Sequence, residues 1–476
     1  MRRTLLLILA GFAVVAGLLQ VPPPPDEVPD FGTIDVTEPD GAVASPSFWY
    51  CPWVEAGDVK DTDIMVATEA SVDVSLTLFD PVTNEDPTVV DYSIVGPGAA
   101  GVDTGGILRR GESPALVEIS DGPAAAASLE WADSLLSGDR CIVSVPKVWY
   151  LTGGTTKTGS FTELRLFNPF ADNAEVTITA YSEFGVDVVA ELDGLDVAGR
   201  SWTTIDMERY LPFRDDLAFT VTSTNGLVIP AIVRTDDRGE AMWPGSAPSE
   251  TWDFPIVTTG GLEPFISVLS AGDDDVLVTV DILTESGSLR NAREVTIESS
   301  VPTLIPLSDL AAPPYGVRVR ATSPVAASVI AVIPAAEVDG GEGEVPDTTT
   351  TSSSTTTTIA STEEDFIKGL AGTVGISRPA SEWIVPIDTF PNSTTSLWML
   401  NAGASAVTVE VVPLGEVEYH GADHTLTIDA GAILGVEVDV GIGIYGYHVK
   451  ADGPVSVAWE MSGDRGAVLV TGVPTQ

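Results

Sequence analysis

The sequence predicts an all-β protein: about four tandem immunoglobulin-like antiparallel β-sandwich units behind an N-terminal transmembrane or signal segment. Three observations carry this. Four short Trp-bearing strands recur about a hundred residues apart, several alternating strand segments separate them, and β-branched and turn-forming residues (Val, Thr, Gly, Asp, Pro) dominate the composition. At 476 residues the chain has room for three to five domains of ordinary size, and its 44% hydrophobic content is enough to fill their cores.

The chain opens with MRRTLLLILAGFAVVAGLLQV, in which Arg2 and Arg3 precede an uncharged run of 18 residues from Thr4 to Val21. That length lies at the lower edge of a membrane span and above an ordinary signal core. Residues 1–21 therefore read as a signal anchor or as a signal peptide cleaved after VVA (Val14–Ala16). The basic pair keeps the amino end inside and everything after it outside. The expected localisation is extracytoplasmic, either single-pass in the cell membrane (N-in, C-out) or secreted. A Pro-rich spacer follows over 22–46, beginning with the four prolines Pro22–Pro25.

Each unit opens on a Trp: FWYCP at Trp49, VWYLT at Trp149, TWDFPIV at Trp252 and EWIVPI at Trp383. The residue two places on (Cys51, Leu151, Phe254, Val385) shares the Trp's strand face, which is the expected core face. The spacings are 149 − 49 = 100, 252 − 149 = 103 and 383 − 252 = 131. The long gap contains DTTTTSSSTTTTIASTEED (Asp347–Asp365), which has no means of burying apolar surface and reads as a tether, with or without O-linked sugars. The expected sandwiches are 47–146, 147–248, 249–336 and 373–476, with a Thr/Ser-rich linker over 337–372. The first three would stack semi-rigidly and the fourth would be tethered separately.

Within each unit a strand–turn–strand phrase recurs, as in LRLFNPFADNAEVTITAYSEFG (Leu164–Gly185) and LWMLNAGASAVTVEVVPLG (Leu397–Gly415), and reads as a hairpin. A closing hairpin follows, as in YHVKADGPVSVAWEM. The phrase Ser-Gly-Asp-Arg occurs at Ser137–Arg140 and Ser462–Arg465, which aligns Cys141 with Gly466. Only Cys51 and Cys141 are present, and in an oxidising compartment they are expected to join the first and last strands of the first sandwich.

The stretch Trp149–Gly185 (Trp-Tyr-x-x-x-Gly, then Leu-x-Asn-Pro, then Val and Tyr), with WYCP at Trp49–Pro52, resembles a domain-of-unknown-function family of exported, N-terminally anchored actinobacterial proteins. The resemblance spans units 1, 2 and 4. Unit 3 departs from it, with WDFPIVTTGG in place of the Trp-Tyr start and LSAGDDD (Leu269–Asp275) in place of the Asn-Pro turn. It implies an extracytoplasmic β protein and transfers no catalytic residue.

Charge narrows the partners. The net charge of −47 repels polyanions, so nucleic acid is excluded as an expected partner. No motif reads as a catalytic, cofactor or metal site. Ser144–Lys147 and Lys157–Gly159 imitate penicillin-binding motifs, but they precede strands where those motifs need a buried helix. Gly153–Thr158 lacks the Gly-Lys and helix of a phosphate loop. His420, Asp423 and His424 lie close in sequence without a fourth zinc ligand. Asp273, Asp274 and Asp275 form a run that faces water, with weak calcium binding as the alternative.

The function expected is therefore non-enzymatic: an extracytoplasmic cell-envelope protein presenting sandwiches to envelope glycan or protein, held to the membrane by its N-terminal segment. The alternatives are an accessory substrate-binding subunit of an envelope glycan-processing enzyme and a cryptic hydrolase.

Overall fold

The computed structural model describes residues 47–475 except 58–59, 80–86, 109–110, 121, 134, 237–238, 256–261, 333–368, 416–424 and 439–440. The N-terminal segment and spacer, nearly all of the Thr/Ser tract, and His420, Asp423 and His424 lie outside the described residues. No described helix is long and apolar enough to cross a membrane.

Alternating Val, Thr and Ile residues form strands with one face buried, as in Ala174–Ser182, whose side chains are buried at every second position. In the second sandwich the front sheet has the order Val148–Gly154, Leu217–Asn225, Ala174–Ser182, Gly185–Asp187. Its back sheet runs Ser201–Asp206, Ser160–Asn168, Ile229–Asp236, Gly239–Pro244. The first, third and fourth sandwiches use the same antiparallel order.

Two of the expected hairpins are sheet changes. Ser160–Asn168 lies in the back sheet and Ala174–Ser182 in the front, so the Asn-Pro turn is an arch between layers. The expected closing hairpin is also a crossing. In the third and fourth sandwiches it is one long strand, Gly316–Val332 and Gly443–Gly463, whose first half pairs in the front sheet and second half in the back. A strand that changes layer keeps the same alternating pattern as a hairpin arm, so sequence period does not separate the two.

The opening Trp residues are core, as expected, and their burial has a common chemical reason. The indole Nε1–H of Trp149, Trp252 and Trp383 donates to the carbonyl of Val228, Val325 and Val455, each located where the chain changes sheets. Trp49 donates instead to Ser47 Oγ. The arch turns are likewise closed by one buried polar side chain. Asn168 Nδ2 donates to Asp172 O and Val197 O, Asn401 Nδ2 to Ser405 O and Ile428 O, and in the third sandwich Ser270 Oγ donates to Asp274 O.

The linker boundary needs correction. Leu370–Val374, which straddles the expected boundary between the linker (337–372) and the fourth sandwich (373–476), pairs with Ser328–Val332 and is the last strand of the third sandwich. Beyond it, Ile376 bridges Asp253 on that sandwich's opening strand, as Ile142 bridges Tyr50 and Ser246 bridges Tyr150 in the first two. The Thr/Ser tract therefore interrupts the third sandwich between its last two strands.

The fourth sandwich is not separate from the others, and all four form one compact unit. Each back sheet covers the front sheet of a neighbour. Phe167 of the second sandwich meets Phe79 of the first edge-on at 5.2 Å. Ser328 Oγ of the third lies 2.7 Å from Thr152 Oγ1 of the second, and Ser456 Oγ of the fourth donates to Asp253 Oδ2 of the third at 2.8 Å. The first sandwich then covers the fourth, where Ala67 and Ala99 sit against Gly446. Gly316 makes the equivalent close approach between the third and fourth, since a side chain there would overlap Leu400 and Ile433. The result is a closed ring.

The four last strands line the centre of this ring: Leu135–Arg140, Gly239–Pro244, Leu370–Val374 and Gly466–Thr471. Each is a sheet edge, which exposed would template aggregation. Here nearly every residue in them is buried. Small residues permit the approach: a side chain at Gly372 would strike the Trp243 ring at 2.6 Å. Across the centre, Thr373 Oγ1 of the third sandwich donates to Asp139 Oδ2 of the first at 3.0 Å.

The two Ser-Gly-Asp-Arg phrases are not equivalent in the fold. Ser137–Arg140 lies in a last strand, whereas Ser462–Arg465 spans the turn before one. By position after the last strand, Cys141 corresponds to Gly245, Gly375 and Gly472, and not to Gly466.

Candidate functional site

Just beyond the ends of the four last strands, the segments that follow them surround a cavity of about 460 Å³. All four sandwiches contribute to it, through Ile142, Ser246, Ser377 and Pro474 among others. Trp49, Trp149 and Trp252 also line it, so three of the four expected core Trp residues have a second role as cavity wall. Trp383 is fully buried and is not among the lining residues. Cys141 lines the cavity and is bonded to Cys51, so the expected disulfide holds one part of the rim. Two residues that sequence reasoning passed over also line it: Arg140 and Arg378. The available signal was their position, basic residues in segments that end or follow a last strand of a strongly acidic chain.

A second cluster joins the first and second sandwiches. Glu55, Glu130 and Glu240 bring carboxylate oxygens within 4.8 Å of one another, a spacing that could suit a divalent cation. Lys60 Nζ sits among them instead, 3.2, 3.1 and 3.2 Å from the three. Glu130 also accepts from Trp53 Nε1 at 2.8 Å, and the Arg165 guanidinium stacks on the Trp53 ring. Burial, reinforced by Glu240 and Glu55, pushes Glu130 up to about 8 against the pull of Lys60. Lys60 is held above its usual range because Glu130, Glu240 and Glu55 outweigh its own burial. This is an interface lock with its cation position filled by an ammonium. Lys60→Met should destabilise the protein by about 3 kcal/mol, the usual cost of leaving buried carboxylates unpaired, measured by denaturant titration at pH 8.

Buried acids recur at the centre and at the interfaces. Burial pushes Asp139 up to about 7, against the Arg140 charge and several hydrogen bonds. Asp216 and Asp388 are raised to about 7, again first by burial. With folded values above the ordinary 3.8, the folded ring binds more protons than the unfolded chain between about pH 4 and pH 7. That stability is complete below pH 4 and is lost as pH rises through 7. The melting temperature should therefore fall by about 5 °C from pH 5 to pH 8, and Asp139→Asn should flatten part of that slope.

Other sequence candidates are dispersed. Ser144 and Lys147 are exposed in the connection between the first two sandwiches, and Lys157 is exposed in a turn. Asp273, Asp274 and Asp275 lie exposed in the arch of the third sandwich, where Asp275 Oδ1 accepts the Ser299 N–H at 2.9 Å. His448 is buried between the fourth and first sandwiches, with Nδ1 against Glu69 Oε1.

Residues 110–345 match a family described as a family of unknown function (DUF5719). The matched span begins late in the first sandwich and ends within the Thr/Ser-bearing segment, leaving Leu370–Val374 and the fourth sandwich outside it. No curated protein matches the chain. Among solved structures, the chain is similar to the α-L-rhamnosidase of Streptomyces avermitilis complexed with L-rhamnose, at 8% identity over 90% of this chain and a TM-score of 0.11. The chain spans 55% of that structure's length, and a likeness this slight carries no argument.

Proposed function

We propose that this is a non-enzymatic, extracytoplasmic cell-envelope protein whose ring of four sandwiches presents a binding site to envelope glycan or protein. One observation carries the reading: the ring closes so that segments from all four sandwiches build a single cavity of small-molecule size, about 460 Å³. The apolar N-terminal run supports export, and a disulfide suits an oxidising compartment. Rigid β-scaffolds that hold functional residues on connecting segments are a common way to build recognition surfaces.

Retention of the protein on purified cell-wall polysaccharide tests this. Ala247→Trp, which fills the cavity from an exposed lining position, should abolish retention without lowering the melting temperature. Equal retention of the variant would place recognition elsewhere. Turnover of glycan or ester substrates, abolished by one point change, would overturn the non-enzymatic reading.

A further inference from the structure

Charge sets the axial cavity apart. The chain has 69 acidic residues against 22 Lys and Arg, and a hollow of about 330 Å³ on the first sandwich follows that balance, with Asp73, Asp91 and Glu118 in its lining. The axial cavity reverses it, with Arg140 and Arg378 lining it and no carboxylate among the described lining residues. The two arginines come from the first and third sandwiches, which lie on opposite sides of the ring, so they bracket the cavity.

Neither arginine is ion-paired among the described residues. Elsewhere Arg318 grips Asp253 through two bonds of 2.7 Å, and Arg293 meets Asp309 at 2.6 Å. Arg378 is exposed and has no such partner, and Arg140 makes one long bond, Nη1 to Gly472 O at 3.4 Å. The neighbouring Asp139 is engaged elsewhere. Its Oδ1 accepts the backbone N–H of Arg140 at 2.7 Å and its Oδ2 accepts Thr373 Oγ1. Burial also raises Asp139 to about 7, so near neutral pH it offsets the Arg140 charge only in part. Guanidinium groups with no ion-paired carboxylate favour an incoming carboxylate or phosphate, to which their planar fork is matched. Ser144, Ser246, Ser249 and Ser377 add hydroxyls to the same lining.

We infer that the axial cavity binds an anionic sugar unit, through its carboxylate or phosphate, held between Arg140 and Arg378 with serine hydroxyls on the neutral part. This rests on the binding role proposed above and narrows its ligand class.

Calorimetric titration of the full chain with digalacturonate, its methyl ester and glucose 1-phosphate tests it. At least one anion should bind tenfold or more tightly than the ester, with affinity falling as salt is raised. Which anion binds separates a carboxylate source from a phosphate source. Arg378→Glu, at an exposed position, should weaken the anion at least tenfold with an unchanged melting temperature, and Arg140→Gln should weaken it by as much. Equal binding of ester and acid, no effect of Arg378→Glu, or no binding of either anion at millimolar concentration would overturn the inference. Wall-polysaccharide retention that is lost in Ala247→Trp but kept in Arg378→Glu would leave the proposed function standing while the anionic ligand falls.

Discussion

A fragment ending at residue 336 should fail to fold as three complete sandwiches. Such a fragment follows the boundary that the Thr/Ser tract suggests, yet it lacks Leu370–Val374. All five of those residues are buried, and they hydrogen-bond along Ser328–Val332. Their loss removes Leu370 and Val374 from the core, worth roughly 1.5–3 kcal/mol each, and exposes the apolar face around Trp243. It also leaves a long hydrophobic edge open to other copies. The fragment should aggregate or melt without a cooperative transition by circular dichroism. Extending it to residue 378 should restore a cooperative melt, below that of the full chain because the fourth sandwich no longer covers the third. Identical melts for the two fragments would contradict this.

Removing the disulfide should cost on the order of 4 kcal/mol for a loop of this length in the chain-entropy model, read as a lower denaturation midpoint for Cys51→Ser with Cys141→Ser. The bond links residues separated by 90 positions, from the opening strand to the residue after the last strand. The other sandwiches solve the same contact with packing. A side chain at Gly245 would come within 3.4 Å of Leu151, one at Gly375 within 2.8 Å of Phe254, and one at Gly472 within 3.3 Å of Val385. The glycine makes room for the larger apolar residue. Cys51→Leu combined with Cys141→Gly copies the second sandwich and should recover a substantial part of the loss. A double variant no more stable than the serine pair would show that the four positions are not interchangeable.

The fold class was legible because its signals are local. Trp and the residue two places on mark one strand face in each unit, and the alternation of Ala174–Ser182 needs no partner to be read. The ring was not legible, because its evidence is spatial. Leu370–Val374 is five residues long, buried on both faces and therefore without alternation, and it pairs across a tract that separates it from its neighbour in sequence. The same holds for Ala241, Met242 and Trp243 in the second sandwich, where burial on both faces removes the period-two signal. The matching Ser-Gly-Asp-Arg phrases pointed the wrong way, since one lies in a strand and the other in a turn. The cavity was invisible for a related reason: Arg140 and Arg378 stand 238 residues apart, and only the closed ring brings them to one site.

Cleavage within the tract tests the ring most directly. A protease site placed between Asp347 and Asp365 divides the chain into a piece with the first two sandwiches and six strands of the third and a piece carrying its seventh strand, Leu370–Val374, and the fourth sandwich. If the ring is closed as described, the two pieces co-elute under native conditions as one species and melt in one transition close to that of the intact chain. Separation into two independently folded pieces, with the fourth sandwich eluting alone, would contradict the account.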